Sequence, residues 1–129
     1  MPSPTILLID DNDDVREMLA HALRAAQYTV VEAADGLKGV EYARSHSVDL
    51  VVTDLVMPVQ EGMETIVILR KERPTLPIIA ISGGVTNSGL YLDIAGKIGA
   101  RRILPKPFAP RTLIALVAEV LAADKPASP

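Results

Sequence analysis

Four aspartates fall within five positions of the segment LLIDDNDD, residues 7–14, directly after an apolar run. Like charges at this spacing repel one another, so the side chains either spread into solvent or surround a positive charge. Magnesium prefers one or two carboxylates together with waters and a phosphate oxygen. The segment is therefore a candidate cation site, and the elements around it decide which other ligands join it.

Apolar runs and helical periodicity alternate along the chain. Short runs rich in β-branched residues predict buried strands at residues 6–9, 28–31, 50–52, 78–81 and 102–104. Apolar residues at helical spacing predict helices at residues 15–26, 37–44, 63–71 and 113–121. A weaker helix is predicted at residues 87–98, where two glycines lower the helix propensity. This alternation predicts an α/β fold whose parallel sheet is covered by helices on both faces.

Chemically active residues follow the predicted strands. In an open parallel sheet the ligand site lies beyond the carboxyl ends of the strands. The residues at those ends are Asp10, Asp11, Asp35, Asp54, Ser82, Gly83, Gly84 and Lys106. Of these, we expect the carboxylates of Asp10, Asp11 and Asp54 to form an oxygen cage for Mg²⁺.

These residue types suit phosphoryl transfer. A carboxylate such as Asp54 can act as a nucleophile and form an aspartyl phosphate, and the rest of the reaction needs positioning and electrostatic stabilisation. The cation would neutralise charge on the phosphoryl group, Lys106 would pair with its oxygens, and Ser82 would donate a hydrogen bond. Gly83 would let a backbone N–H approach closely.

Other polar residues receive structural interpretations. Asp13 and Asp14 are interpreted as helix N-caps, because acidic residues favour helix N-termini. His21 falls within the first predicted helix and His46 in a loop, and nothing in the sequence pairs them as metal ligands.

Length and composition exclude several classes of protein. A chain of 129 residues fits one compact domain, predicted at residues 1–123, with residues 124–129 as a flexible tail or the start of a linker. The net charge of −3 argues against nucleic-acid binding, and the absence of cysteine excludes disulfides and thiolate metal sites. No apolar run approaches the length of a membrane span, so we expect a soluble, cytoplasmic domain without a membrane partner.

The motifs together resemble the response-regulator receiver domain of two-component signalling, in the CheY-like superfamily. The matching segments are ILLIDDN at residues 6–12, DLVMPVQEG at 54–62, ISGG at 81–84, Gly99–Ala100, and KPF at 106–108. The spacing D-x-x-M-P-x-x-x-G together with K-P-F is specific, whereas the acidic pair alone is not. The resemblance covers residues 5–121 and implies a doubly wound (βα)5 fold with flavodoxin-like strand order 2-1-3-4-5.

The resemblance also implies a role for each matching residue. Asp54 is similar to the phosphoacceptor, Asp11 to the direct Mg²⁺ ligand, and Asp10 to a ligand that acts through water. Asp54 and the backbone carbonyl of Val56 would complete the protein ligands of the cation. Ser82 resembles the hydroxyl switch residue, Gly83 supplies a backbone N–H, and Lys106 resembles the phosphate-pairing lysine, held by a cis bond to Pro107.

Such a domain takes its phosphate from a phosphohistidine on a sensor histidine kinase or a histidine phosphotransfer protein. It catalyses its own phosphorylation and slow dephosphorylation, so we expect a regulatory domain rather than an enzyme. The resemblance implies that phosphorylation changes the surface formed by the last two helices and the fifth strand. It also implies that residues 90–98 with Leu104 form a homodimer or partner face after phosphorylation; no effector is identified.

Three residues depart from the family pattern or affect the lifetime of the phosphate. The position three before Lys106 commonly carries Tyr or Phe, which swings inward on activation, but here it is Ile103, a side chain stiff at χ1. We therefore expect the output to depend on movement of residues 82–88. Val56 and Gly84 cannot orient an attacking water by a hydrogen bond, so we expect hydrolysis that is not fast.

Two other functions are compatible with parts of this pattern. An aspartate-nucleophile phosphatase would need a second aspartate two residues beyond Asp54, where this chain has Val56. A binding-only receiver that is never phosphorylated is disfavoured by the intact set of site residues, although Ile103 is compatible with atypical signalling. Incubation with Mg²⁺ and a small phosphodonor distinguishes the three functions.

Overall fold

The computed structural model of the chain describes residues 3–55, 62–82, 97 and 99–124. Within these ranges the elements are β1 (Thr5–Ile9), α1 (Asp13–Ala25), β2 (Thr29–Ala33), α2 (Gly36–Ser45), β3 (Leu50–Asp54), α3 (Gly62–Glu72), β4 (Ile78–Ser82), β5 (Arg102–Pro105) and α4 (Pro110–Asp124). All five predicted strands and four predicted helices are confirmed, but the prediction of burial was wrong for β5, whose residues are exposed or half-buried because it is an edge strand. The remaining predicted helix, at residues 87–98, lies outside the described residues except for residue 97.

The five strands form one parallel sheet in the order β2-β1-β3-β4-β5. The predicted doubly wound fold and its strand order are therefore confirmed. The order reverses between β1 and β3, and a ligand site is expected beyond the carboxyl ends of the strands at this point. Ile9 of β1 is paired with Thr53 of β3, so the next residues, Asp10 and Asp54, lie side by side at that edge.

The central strands β1, β3 and β4 are buried on both faces of the sheet, which explains why they are continuous apolar runs rather than alternating ones. Successive residues of β1 point to opposite faces: Leu7 and Ile9 pack in one core, and Ile6 and Leu8 in the other. The first core is completed by residues of α2 and α3, and the second by residues of α1 and α4. The two cores fix β1 and β3 from both sides, and with them the start of the segment that carries Asp10.

A close contact between α2 and β1 reinforces this placement. A Cβ built on Gly39 would lie 2.8 Å from Cγ1 of Ile9, well inside van der Waals contact. Glycine at this position therefore lets α2 pack directly against the residue that precedes Asp10.

Side-chain caps begin the first two helices. Asn12 is the N-cap of α1, and its Oδ1 accepts a hydrogen bond of 3.0 Å from the Val15 N–H. The prediction that Asp13 and Asp14 are N-caps was wrong by one or two positions. They lie in the first turn, where their charge interacts favourably with the positive end of the helix dipole.

No helix within the described ranges is both long and apolar enough to span a lipid bilayer.

Candidate functional site

Asp10 is fully buried at the carboxyl end of β1. Its backbone N–H donates to the carbonyl of Ala33 at 3.1 Å, which continues the pairing of β1 with β2 for one residue. Its Oδ1 accepts from the Asn12 N–H at 2.9 Å. The turn into α1 therefore holds the carboxylate above the switch point of the sheet.

Lys106 brings a positive charge to the same place from the opposite edge of the sheet, where β5 lies. It follows β5 and reaches past β4, so that its Nζ lies 3.1 Å from Oδ2 of Asp54 and 3.5 Å from Oδ2 of Asp10. Asp54, the last residue of β3, is 7% exposed. The peptide bond between Lys106 and Pro107 is cis, as the resemblance implied.

Three carboxylates converge at this edge. Asp10, Asp11 and Asp54 each offer an oxygen, and these oxygens all lie within 4.8 Å of one another. Oxygens on opposite sides of an octahedral Mg²⁺ are about 4.2 Å apart, so small side-chain rotations would bring the three to one ion. When all groups are ionised, three carboxylates against one ammonium leave two negative charges. The donor type, spacing and charge therefore fit a divalent cation.

Burial and charge act differently on the buried Asp10 and the half-buried Lys106. Burial raises the pKa of the Asp10 carboxyl and the charge of Asp54 raises it further, while the Asn12 N–H and Lys106 oppose the rise. Burial acts to lower the pKa of Lys106, but the charges of Asp54 and Asp10 outweigh it, so the pKa is raised. The ammonium is therefore a permanent positive charge at neutral pH, whereas the Asp10 carboxylate is poorly stabilised.

Residues 6–118 match the family model of the response regulator receiver domain. The chain belongs to that family.

The relatives named below match this chain over one part of their own length. The receiver domain is 35% identical over 123 residues to the alkaline phosphatase synthesis transcriptional regulatory protein SphR of Synechococcus elongatus, covering 88% of this chain and 47% of that protein. It is 38% identical over 122 residues to the sensor kinase CckA of Brucella abortus, covering 92% of this chain and 13% of that one. The chain thus spans less than half the length of these relatives.

Solved structures show the same fold. Chemotaxis protein CheY4 of Vibrio cholerae superposes with a TM-score of 0.82 at 31% identity, covering 92% of this chain and 98% of that chain. The receiver domain of the Francisella response regulator 1452 gives a TM-score of 0.87 at 25% identity, covering 95% of this chain and all of that chain (100%).

The receiver domain brings some predicted site residues together and not others. Asp10, Asp11, Asp54 and Lys106 meet at one edge. Ser82 ends β4, which lies between β3, ending at Asp54, and β5, which precedes Lys106. The side chain of Ser82 lies outside the described part of the chain. Val56, Gly83 and Gly84 also lie outside that part, so the roles predicted for these residues remain predictions.

Asp35 does not join the site. It is the N-cap of α2, and its Oδ1 accepts from the Lys38 N–H at 2.9 Å. The two histidines belong to helices that pack in different cores. His46 is the C-cap of α2 and stacks on Tyr42 with ring centroids 4.1 Å apart, whereas His21 is exposed on α1.

Sequence reasoning missed Arg16. This residue of α1 donates from Nη1 to the backbone carbonyl of Asp10 at 2.9 Å, and it pairs with Asp13 and Glu32. The spacing of Asp13 and Arg16 is that of neighbours on a helix, and that signal was available. The contact with Glu32 depends on the pairing of β1 with β2, which no local pattern specifies.

Proposed function

We propose that this receiver domain accepts a phosphoryl group on Asp54. The observation that carries the proposal is the meeting of the Asp54 carboxylate with two other carboxylates and with Lys106 Nζ, 3.1 Å away, at the switch point of the sheet. Membership of the receiver family supports the same chemistry. The donor would be a phosphohistidine on a sensor histidine kinase or a histidine phosphotransfer protein.

In the proposed step, one oxygen of Asp54 attacks phosphorus, the new P–O bond forms and the P–N bond to the donor imidazole breaks. Asp54 is held for this role at the end of a fully buried strand. Lys106 keeps its proton at neutral pH and pairs with the phosphoryl oxygens in place of the Asp54 oxygen that it contacts now. Ser82 and the N–H of Gly83 are proposed as further hydrogen-bond donors to the phosphoryl group.

We propose Mg²⁺ as the cation, held by Asp10, Asp11, Asp54 and the carbonyl of Val56. When bound, it supplies charge neutralisation at the phosphoryl oxygens. The protein's own contribution is to hold three carboxylates close together in spite of their repulsion.

An apolar groove of about 210 Å³ next to the site supports a protein donor. Its walls are formed by Val15, Met18, Leu19, Lys106, Pro107 and Phe108. Met18 is 49% exposed, so part of this apolar surface faces solvent within reach of Lys106. A small phosphodonor would not need such a surface, whereas a protein partner would bury it.

The test is incubation of the domain with Mg²⁺ and acetyl phosphate, followed at once by intact-mass measurement. We expect a gain of one phosphoryl group, dependent on Mg²⁺ and lost in Asp54→Asn. Asp35→Asn is the matched control, because it removes the same charge at a strand end that does not join the site, and it should gain the group normally.

Two results would contradict the proposal. If the wild-type domain gains no mass at any Mg²⁺ concentration, it is a binding-only receiver. If acetyl phosphate is consumed over many turnovers and no phosphorylated protein accumulates, the domain acts as a phosphatase.

A further inference from the structure

The guanidinium of Arg16 connects three elements around the first residue of the acidic cage formed by Asp10, Asp11 and Asp54. Its Nη1 donates to the carbonyl of Asp10 at 2.9 Å, its Nη2 lies 2.8 Å from Oδ1 of Asp13, and its Nε lies 3.2 Å from Oε1 of Glu32. The side chain is only 12% exposed. One residue of α1 thus connects the end of β1, its own first turn and β2.

These contacts leave the Asp10 backbone held on both sides. The N–H of Asp10 is bonded to the carbonyl of Ala33, and the carbonyl of Asp10 is bonded to Arg16. The Asp10 carbonyl belongs to the peptide unit that leads into Asp11. Fixing this peptide plane therefore orients the two neighbouring acidic residues relative to Asp54.

We propose that Arg16 is a positioning residue for the cation site: it sets the affinity for Mg²⁺ through the Asp10 carbonyl, without contacting the cation or the phosphoryl group. This inference rests on the proposed function, because it concerns the same cation.

The direction in which Mg²⁺ affinity changes when Arg16 is removed distinguishes a positioning role from a purely electrostatic one. Removing a positive charge close to an acidic cage should strengthen cation binding if charge alone mattered. If Arg16 acts by holding the Asp10–Asp11 peptide, its removal should weaken binding. Loss of a residue that supports metal ligands typically lowers metal affinity by about 10-fold to 100-fold.

Arg24 offers a matched control within the same network. Its Nη1 pairs with the other carboxylate oxygen of Glu32 at 3.3 Å, and its Nη2 donates to a backbone carbonyl, that of Val30, at 3.0 Å. Arg24 therefore shares residue type, charge and carboxylate partner with Arg16. It differs in holding a carbonyl within β2 instead of the one that leads into the cage.

The experiment is a titration of the ¹⁵N-labelled domain with MgCl₂, with the dissociation constant taken from the amide shifts of residues 10–14. We expect Arg16→Gln to raise this constant by about 10-fold and Arg24→Gln to change it by less than about 2-fold. The same spectra and urea unfolding show whether each variant is folded.

Arg16→Lys keeps the charge but cannot reproduce the planar fork of donors. We expect it to weaken Mg²⁺ binding several-fold as well, so the test stands even if Arg16→Gln does not fold. A kinetic measurement adds a second readout. Saturating Mg²⁺ should return phosphorylation of Arg16→Gln by acetyl phosphate to within about 2-fold of the wild-type rate, because Arg16 does not contact the phosphoryl group.

Each outcome decides between the two proposals. An Mg²⁺ dissociation constant in Arg16→Gln that equals the wild-type value or is lower contradicts the positioning role and leaves the proposed function intact. A wild-type domain that shows no magnesium-dependent shifts contradicts the proposed function and this inference with it.

Discussion

At the scale of single residues, the site is a set of charges held in an unfavourable arrangement. Asp10 has no exposed surface and lies beside the charge of Asp54, and both effects raise its pKa. The Nζ of Lys106 offsets part of this cost, because it lies 3.5 Å from Oδ2 of Asp10 and 3.1 Å from Oδ2 of Asp54. The remaining repulsion is what a divalent cation would relieve, so affinity for a cation and strain in its absence have the same origin.

This balance predicts that Asp10→Asn stabilises the metal-free domain. A folded-state pKa above the ordinary value of 3.8 means that the folded state binds the Asp10 proton more tightly than the unfolded state does. The contribution of Asp10 to stability therefore improves as pH falls through the raised folded pKa towards 3.8, and at pH 7 the carboxylate is a net cost. We therefore expect Asp10→Asn to raise the free energy of unfolding at pH 7.

Urea unfolding in EDTA measures this change. The difference between variant and wild type should shrink as the pH is lowered towards 4, where the wild-type carboxyl also becomes neutral. Asp14→Asn is the control, because it removes the same charge at an exposed position in the first turn of α1 and should cost a few tenths of a kcal/mol. A destabilised Asp10→Asn domain at pH 7 would show that its hydrogen bonds outweigh the repulsion.

At the scale of elements, the side chain at a helix N-cap is used to begin that helix. Asn12 and Asp35 both accept a backbone N–H as N-caps. Sequence reasoning placed Asp35 among the strand-end residues because it follows a strand, as Asp10 does. The two differ because Asp35 follows β2, an edge strand away from the switch point, and its carboxylate is used by α2.

Asp35→Ala should therefore lower stability without changing the chemistry. Loss of an N-cap typically costs about 1 kcal/mol, and we expect this decrease in the free energy of unfolding. The Mg²⁺ affinity and the rate of phosphorylation by acetyl phosphate should stay within about 2-fold of wild type. Asp35→Ser, which keeps an N-cap acceptor, should recover most of the stability. A large fall in Mg²⁺ affinity in either variant would place Asp35 in the site after all.

At the scale of the whole molecule, the strand order determines which distant residues meet. The apolar runs and helical periods predicted the described elements, because burial of the central strands on both faces of the sheet leaves a clear pattern. The convergence of Asp10, Asp54 and Lys106 followed from the rule that ligands bind at the carboxyl edge of such a sheet. The Arg16–Glu32 pair could not be predicted in this way, because it depends on how the side chain of Arg16 on α1 reaches β2.

The whole-molecule response to phosphorylation is the remaining prediction, and it depends on Ile103. This residue lies on β5, the edge strand next to β4, and is 39% exposed. A β-branched aliphatic side chain is restricted at χ1 and has no ring to turn inward. We expect phosphorylation to change the hydrogen-exchange rates of the amides in residues 82–88 by at least about 10-fold. The side chain of Ile103 should keep its rotamer.

Hydrogen exchange and methyl NMR of the domain, with and without acetyl phosphate and Mg²⁺, measure both effects, and Asp54→Asn treated in the same way gives the background. Ile103→Tyr restores the aromatic residue common at this position and should add a ring reorientation to the response. Two results together would contradict this expectation: unchanged amide exchange in residues 82–88 and a rotamer change at Ile103. They would show that the aliphatic side chain carries the signal, which would then reach the edge of the sheet through β5 alone.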